Sequence, residues 1–339
     1  MNLNKAEGVL YGSAYGDALA APTEFTRDLD SIRRQFPPNG PTTLPISRGG
    51  ASRVTDDTQM MLAVGRALLD TPTLLTPGTA EAPLRREFLA WLHDPENTRA
   101  PGLTCLSACR KLEAGGAWQR ASMGNSKGCG ANMRVQPSGF IPDQGARAGY
   151  AQFQAALTHG HPTALAAAEL TAEAIWLLMN DLSPTELPAA LIAHAQAQRT
   201  NYREDWLGEL WKVAGFSGQV AYISHGWDEC LNVLERLEAA LKTGLAEGAD
   251  PCDSTGEGWV AEEALATGLL CFLLTPTDPV ESLRRAAVTS GDSDSLACLA
   301  GAFAGAHLGI GAFPAEWKTQ IEYQGELERQ SAAFARENP

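Results

Sequence analysis

Two short stretches of the chain bring carboxylates and hydroxyls together directly before a helical pattern. The first is Val54-Thr55-Asp56-Asp57-Thr58, which runs into the amphipathic QMMLAVGRALL. The second is Ser290-Gly291-Asp292-Ser293-Asp294-Ser295, which runs into LACLAGAFAGAHLG. Helix capping explains either one alone, because Ser, Thr and Asp satisfy the free N–H groups of a first turn and complement its dipole. A helix needs only one cap, however, and each cluster supplies two acids flanked by hydroxyls. Such oxygen donors suit hard cations, Mg²⁺ above all. Four carboxylates converging on one site repel strongly unless cations lie between them. Two adjacent acids can also serve two different ions, one of them bridging.

Other segments offer weaker chemistry. Gly12 to Phe25 is a small-residue run ending at Pro22 and Glu24. Glu24 there is a candidate general base or ligand anchor, or an ordinary solvent carboxylate at a helix exit. Gly124 to Arg134 reads as a turn feeding a helix. Successive N–H groups in such a loop can form an anion nest for a diphosphate, although a plain turn fits the spacing equally. The GxxxxGK[ST] order is absent, so it is not a Walker A loop. In Thr158-His159-Gly160-His161-Pro162, one HxH pair without a third ligand argues poorly for zinc. His159 either caps the following helix or hydrogen-bonds a phosphate or ribose.

These residues must be positioned by helices. Apolar residues recur at three- and four-residue steps over Gln59–Leu69, Arg85–His93, Ala164–Met179, Glu186–Gln198, Glu229–Lys242, Glu262–Leu274 and Ser295–Leu308. Alanine is abundant and alternating β-branched runs are scarce, which predicts an all-α fold. Pro/Gly clusters at Pro37–Gly50, Thr71–Pro83 and Glu247–Gly258 are expected to punctuate helices. None is long enough for a linker, so residues 1–339 read as one domain, with residues from about 315 to 339 as a peripheral helix. The Pro37–Gly50 loop, between Glu24 and Thr55, is expected to cover the cleft. Glycines and alanines after Asp294 predict close helix–helix approach.

The chain has 339 residues, 44% of them hydrophobic, enough for a substantial core. Its net charge of −14 and lack of basic runs argue against stable nucleic-acid binding. The acidic, nearly Lys-free start is a poor signal peptide, and no 18-residue uncharged apolar stretch exists to span a membrane. Seven scattered cysteines without a CxxC pair read as reduced, buried thiols and hence a cytoplasmic protein.

The order of motifs, GDALAAPTEF, VTDDTQM, GNSKGCGANMR, THGHP and SGDSDSLACLAGAFAGAHLG, resembles the ADP-ribosylglycohydrolase family over roughly residues 6 to 310. The two acidic clusters are the most specific part of the likeness. The resemblance implies a compact, orthogonally packed helical bundle with a binuclear Mg²⁺ centre in a cleft, Mn²⁺ being a possible substitute. It implies metal ligation by Thr55, Asp56 and Asp57 from one side and by Asp292, Asp294 and Ser295 from the other. Glu24 matches an acid near the reacting ribose, and Glu24, Asp56, Asp57 and Asp294 are the candidate catalytic carboxylates. Ser126, Lys127, Gly128, Cys129 and Gly130 match the loop that cradles the diphosphate, and His159 a histidine near the substrate. Ser290 and Ser293 stand for the usual Gly and Thr, Ser295 for a Thr ligand, and Cys129 where members often have Asn.

The activity so implied is metal-dependent cleavage of the bond between ADP-ribose and an acceptor, a protein or a small molecule. The general base is one of Asp56, Asp57 and Glu24. A non-hydrolytic ADP-ribose-binding protein on the same fold is the alternative. The acceptor is open between arginine, serine, a nucleobase and a small molecule.

Overall fold

The structure is a computed structural model and describes residues 2–72, 74–246 and 248–337. Thr73 and Glu247, which fall in two of the expected helix-breaking stretches, lie outside the described residues, as do Met1 and residues 338–339. The fold is all-α. Among the described residues, helices are joined by loops and a few isolated bridges, with no sheet. All the expected helices form, most of them longer than their periodic cores: Asp56–Leu69, Pro77–Leu92, Pro162–Met179, Leu187–Gln198, Gln219–Thr243, Ala261–Leu273 and Ser293–Leu308. None of the described helices is long and apolar enough to cross a membrane. All seven cysteines are buried and free.

One expected break is absent. The helix Pro77–Leu92 runs through Pro83. Thr76 and Thr79 cap its start reciprocally, Pro77 occupies a first-turn position that needs no N–H, and Pro83 is buried. Burial of the ring offsets the one helical hydrogen bond it forgoes.

The centre of the molecule is a contact between the first helix, Leu3–Ala20, and the helix Ser293–Leu308. Gly8, Gly12 and Gly16 recur every four residues along one face, opposite Gly305, Gly301 and Ala297. The two helices are therefore antiparallel and nearly backbone to backbone. A Cβ at Gly301 would lie 1.9 Å from the Gly12 carbonyl oxygen, and one at Gly16 would lie 1.9 Å from that of Ala297. Both helices are almost wholly buried, so neither has a polar face, and helix Pro162–Met179 packs against the second of them.

The C-terminal segment is not peripheral. Leu327 and Phe334 fall on one face of the helix Gln324–Glu337 and are buried, as are Trp317 and Ile321 before it. Tyr11 Oη donates to the Gln324 carbonyl at 3.1 Å, and Gln330 Nε2 donates to that of Leu62 at 3.0 Å. The segment is stitched to both helices that carry the first half of the acidic site.

Candidate functional site

Antiparallel packing brings the end of the first helix beside the start of Ser293–Leu308. Thr23 Oγ1 lies 2.9 Å from Ser293 Oγ, which joins the two ends. Thr55 caps the helix Asp56–Leu69, its hydroxyl accepting from the Asp57 N–H at 3.3 Å. Asp17, buried in the first helix, then fixes this whole turn. Its two oxygens accept the Thr55 N–H at 2.9 and 3.0 Å, and one also accepts the Thr58 N–H at 3.1 Å and hydroxyl at 2.5 Å. From the opposite side Ser295 Oγ donates to Asp57 Oδ2 at 2.9 Å, and the Ser295 N–H donates to Asp294 Oδ1 at 2.9 Å. Glu24, Asp292 and Asp294 each present an oxygen, and the three lie within 4.8 Å of one another.

These acids floor a cavity of about 470 Å³. Glu24, Asp56, Asp57, Asp292, Asp294 and Ser295 line it, with Gly128, Cys129, Gly130 and His159 on one wall. Phe25, Trp259 and residues 100–105, a loop running into the helix Leu103–Glu113, complete the lining. The two clusters and much of the glycine loop thus meet, as their motifs suggest. Thr55 does not line the cavity and sits behind it as the helix cap.

Other placements also separate the readings the sequence left open. Ser126 and Lys127 do not reach the cavity wall. The Ala261 N–H donates to the Lys127 carbonyl at 2.8 Å, which turns the lysine side chain to the back of the loop, where Glu262 and Glu229 neutralise it. Ser126 Oγ instead meets Thr104 Oγ1 at 3.0 Å. His159 does not cap the helix Pro162–Met179, because His161 does, accepting from the Thr163 N–H at 3.3 Å. No residue of the Pro37–Gly50 loop lines the cleft. Arg284 Nη1 donates to the Asn39 carbonyl at 2.6 Å and Gly40 lies on Val288, which draws that loop onto another face.

His159 is buried, with Nδ1 2.8 Å from Thr158 Oγ1. Arg134 Nη2 donates to the same hydroxyl at 2.7 Å, and the hydroxyl also reaches the Ala155 carbonyl at 3.3 Å. The other ring nitrogen, Nε2, faces Gly128 and Gly130. Burial, with Arg134 nearby, keeps the ring neutral by holding its pKa well below the usual histidine value. A Cβ on Gly130 would lie 3.0 Å from His159 Cε1 and 2.7 Å from Cys105 Sγ, so only glycine lets this loop rest on the ring.

A third segment, absent from the sequence-derived site, ties the halves together. The Cys129 N–H donates to the Trp259 carbonyl at 3.0 Å, and the Asp292 N–H donates to that of Glu257 at 2.8 Å. The loop Gly256–Val260 therefore sets the distance between the glycine loop and the second acidic cluster.

The site carries a large unbalanced charge. The nearest basic groups are engaged elsewhere: Arg27 faces Glu257, Arg134 holds Gln154 and Thr158, and Lys127 holds Glu262. Burial, reinforced by the Asp294 charge, pushes Glu24 up to about 9, Asp56 to about 8 and Asp17 to about 7. The same two causes raise Asp57 and Asp292 well above the ordinary carboxylate range, and burial raises Asp294. Buried acids without cationic partners are costly unless they take protons or a metal.

Fold and site together define an all-α scaffold built around a crowded acidic cavity. The ADP-ribosylglycohydrolase family matches residues 2–338, and the chain belongs to that family. ADP-ribosylhydrolase ARH3 of Danio rerio is similar at 26% identity over 95% of this chain and 87% of that protein. ADP-ribosyl-[dinitrogen reductase] glycohydrolase of Rhodospirillum rubrum is similar at 26% identity over 96% and 92%. A solved structure described as an ADP-ribosylglycohydrolase-related protein complex has the same fold, with a TM-score of 0.64 at 23% identity and 98% coverage of each chain.

Proposed function

We propose that this protein is a Mg²⁺-dependent hydrolase that cleaves the N- or O-glycosidic bond between ADP-ribose and its acceptor, in the cytoplasm. The observation that carries the reading is the set of crowded carboxylates, none paired to a basic side chain, on the floor of a cavity walled by a glycine loop and a neutral histidine. The donor set fits hard divalent cations: all the groups are oxygens, and their crowding is relieved only by positive charge. Asp56 and Asp57 would hold metal from one side, with Thr55 behind them capping their turn, and Asp292, Asp294 and Ser295 from the other. Two bound Mg²⁺ ions, or Mn²⁺ in their place, would supply charge to orient ribose hydroxyls and acidify water.

The chain's own groups supply the rest. Gly128 and Gly130 let the loop backbone approach a diphosphate, and the neutral His159 can donate from Nε2 toward it without adding a charge. Glu24 is half-buried at the edge of the acidic floor and can exchange its proton with solvent. It is the carboxylate best placed to take a proton from the attacking water, or to stabilise the oxocarbenium-like transition state of glycoside cleavage. Phe25 and Trp259, ring centroids 6.4 Å apart and nearly parallel, screen the rim beside it.

Release of free ADP-ribose from ADP-ribosyl-arginine, ADP-ribosyl-serine and O-acetyl-ADP-ribose, with Mg²⁺ and with chelator, tests the reading. Metal-dependent release from one names the acceptor. Tight ADP-ribose binding without release from any would replace hydrolysis by binding.

Two further results are expected. His159→Ala should raise KM about 10- to 100-fold with a smaller change in kcat, since it removes one hydrogen bond to a charged group. An equal fall in kcat and kcat/KM would move His159 to the transition state instead. The raised carboxylates also set a pH dependence. In the folded, metal-free protein they hold protons that the unfolded chain releases near pH 4, so stability falls as pH rises from about 4 through 7 to 9. Mg²⁺ replaces those protons, and its stabilisation should grow over the same interval. Melting curves at pH 5.5 and 8 with and without Mg²⁺ measure this, and an equal Mg²⁺ effect at both pH values would sink the account.

A further inference from the structure

The geometry points to Arg99 and Glu322 as positioning residues that brace the first acidic turn, making the C-terminal segment part of the catalytic apparatus. The inference rests on the proposed Mg²⁺ site. Arg99 is only 8% exposed and forks onto Glu322, with Nη1 and Nη2 at 2.6 and 2.9 Å from the two carboxylate oxygens. The pair does not merely neutralise itself. Arg99 Nη1 also donates to the Val54 carbonyl at 2.8 Å, and Glu322 Oε2 accepts the Val54 N–H at 3.2 Å. Both polar groups of the residue preceding Thr55 are thus held by one half-buried ion pair, which Glu96 also joins, 2.8 Å from Arg99 Nη2.

The same two segments grip the turn on either side of Val54. The Ser52 N–H donates to the Gln320 carbonyl at 2.6 Å and the Glu322 N–H to the Ser52 carbonyl at 3.0 Å, a short pairing of chains 52 and 320–322. Three residues beyond Arg99, the Gly102 N–H donates to Asp56 Oδ2 at 3.3 Å. Between them Ala100 has a φ of 55°, a left-handed conformation that a non-glycine residue holds only when its surroundings impose it. Ala100 lies between Arg99, held by Glu322 and Val54, and Gly102, held by Asp56. The loop 99–102 is therefore a bracket, fixed at Arg99 and reaching Asp56 at Gly102.

Without the brace, only Asp17 and the helix itself orient Thr55, Asp56 and Asp57. Groups that orient metal ligands from behind typically change metal affinity or activity by 10- to 100-fold when removed. Glu322→Gln keeps the shape but loses the charge-assisted fork, and Arg99→Lys keeps the charge but cannot span Glu322 and Val54 together. Each should weaken Mg²⁺ binding to the substrate-free protein at least about 10-fold by calorimetry and lower kcat more than it raises KM. Both should also speed amide exchange in the peptide 52–60 of the metal-free protein, with the interior of helix Ser293–Leu308 unchanged.

Unchanged exchange and Mg²⁺ affinity in both variants would overturn the brace. Accelerated exchange throughout the molecule would also overturn it, because the pair would then be a general stability element. If the unaltered protein takes up no Mg²⁺, the metal reading fails on its own, and local exchange in 52–60 still decides the brace. Should Glu322→Gln fail to fold, Glu322→Asp, which shortens the reach to Val54, gives the same pair of readouts.

Discussion

Asp294→Asn is expected to reduce ADP-ribose release by about 10²- to 10³-fold or more at saturating Mg²⁺, the range that loss of one preorganised charged group costs. The same variant should melt at a higher temperature than the natural protein when both are metal-free. Asp294 acts on every other acid of the site: its charge is the largest neighbouring influence raising Asp17, Glu24, Asp56, Asp57 and Asp292. Two carboxylates with oxygens within 4.8 Å repel by roughly 3 kcal/mol at an effective dielectric of 20, less whatever protonation relieves. Removing the shared member should return at least about 1 kcal/mol to the metal-free fold. The two effects have opposite signs, which is what makes the variant informative. A residue that only caps its helix would lose stability when neutralised and leave turnover intact. Parallel melting scans and an ADP-ribose release assay decide between them, and retained full activity would refute the metal reading. Asp294→Ala should abolish turnover equally but adds a small cavity to the stability term.

The acidic clusters were legible in the sequence because each is contiguous: hydroxyl, acid, acid, hydroxyl, then a helix. The helical class was legible because apolar periodicity is local. Asp17 was not, although it lies within a quoted motif. Its partners Thr55 and Thr58 are 38 and 41 residues away, and a lone acid in a helix of small residues carries no local sign of them. Lys127 misled for the same reason. A lysine in a glycine loop suggests phosphate, but Glu229 and Glu262, more than a hundred residues on, claim its charge. Arg99 opens the stretch RAPGLTC, which also resembles bacterial members of the family, but its partner Glu322 lies 223 residues away and nothing local marks the pair. Local spacing thus marked groups that line the cavity, while the groups that hold them in place come from distant segments. Pro83 was misread because a proline breaks a helix only by default, and a capped start with a buried ring overrides the default.

Gly301→Val should be strongly damaging although it lies outside the acidic floor, by misaligning that floor from a distance. On an ordinary helix, replacing glycine by alanine gains up to about 1 kcal/mol. Here the first added carbon would lie 1.9 Å from the Gly12 carbonyl oxygen and 2.6 Å from its carbon. Backbone cannot step aside as a side chain does, so the two helices must part. Overpacking of a core costs about 1–3 kcal/mol even when side chains can adjust, and this contact offers no such adjustment. Gly301→Ala is therefore expected to lose about 2–4 kcal/mol in spite of its better helix propensity, and Gly301→Val more. Gly78, at the open start of helix Pro77–Leu92, is the control. Nothing but Thr76 Oγ1 at 3.9 Å meets a Cβ there, and Gly78→Ala should be neutral or stabilising. The functional consequence follows from the same geometry. Asp17 sits at one end of the first helix and Asp294 at the start of the other, so parting the helices moves the turn of Asp56 and Asp57 away from Asp292 and Asp294. Gly301→Ala protein that remains folded should bind Mg²⁺ at least about 10-fold more weakly, as loss of supporting groups does at other metal sites. Denaturant titration and Mg²⁺ calorimetry on the same preparation test both halves. A Gly301→Ala variant as stable as Gly78→Ala, with undiminished Mg²⁺ affinity, would mean that the close crossing does not set the spacing of the acids.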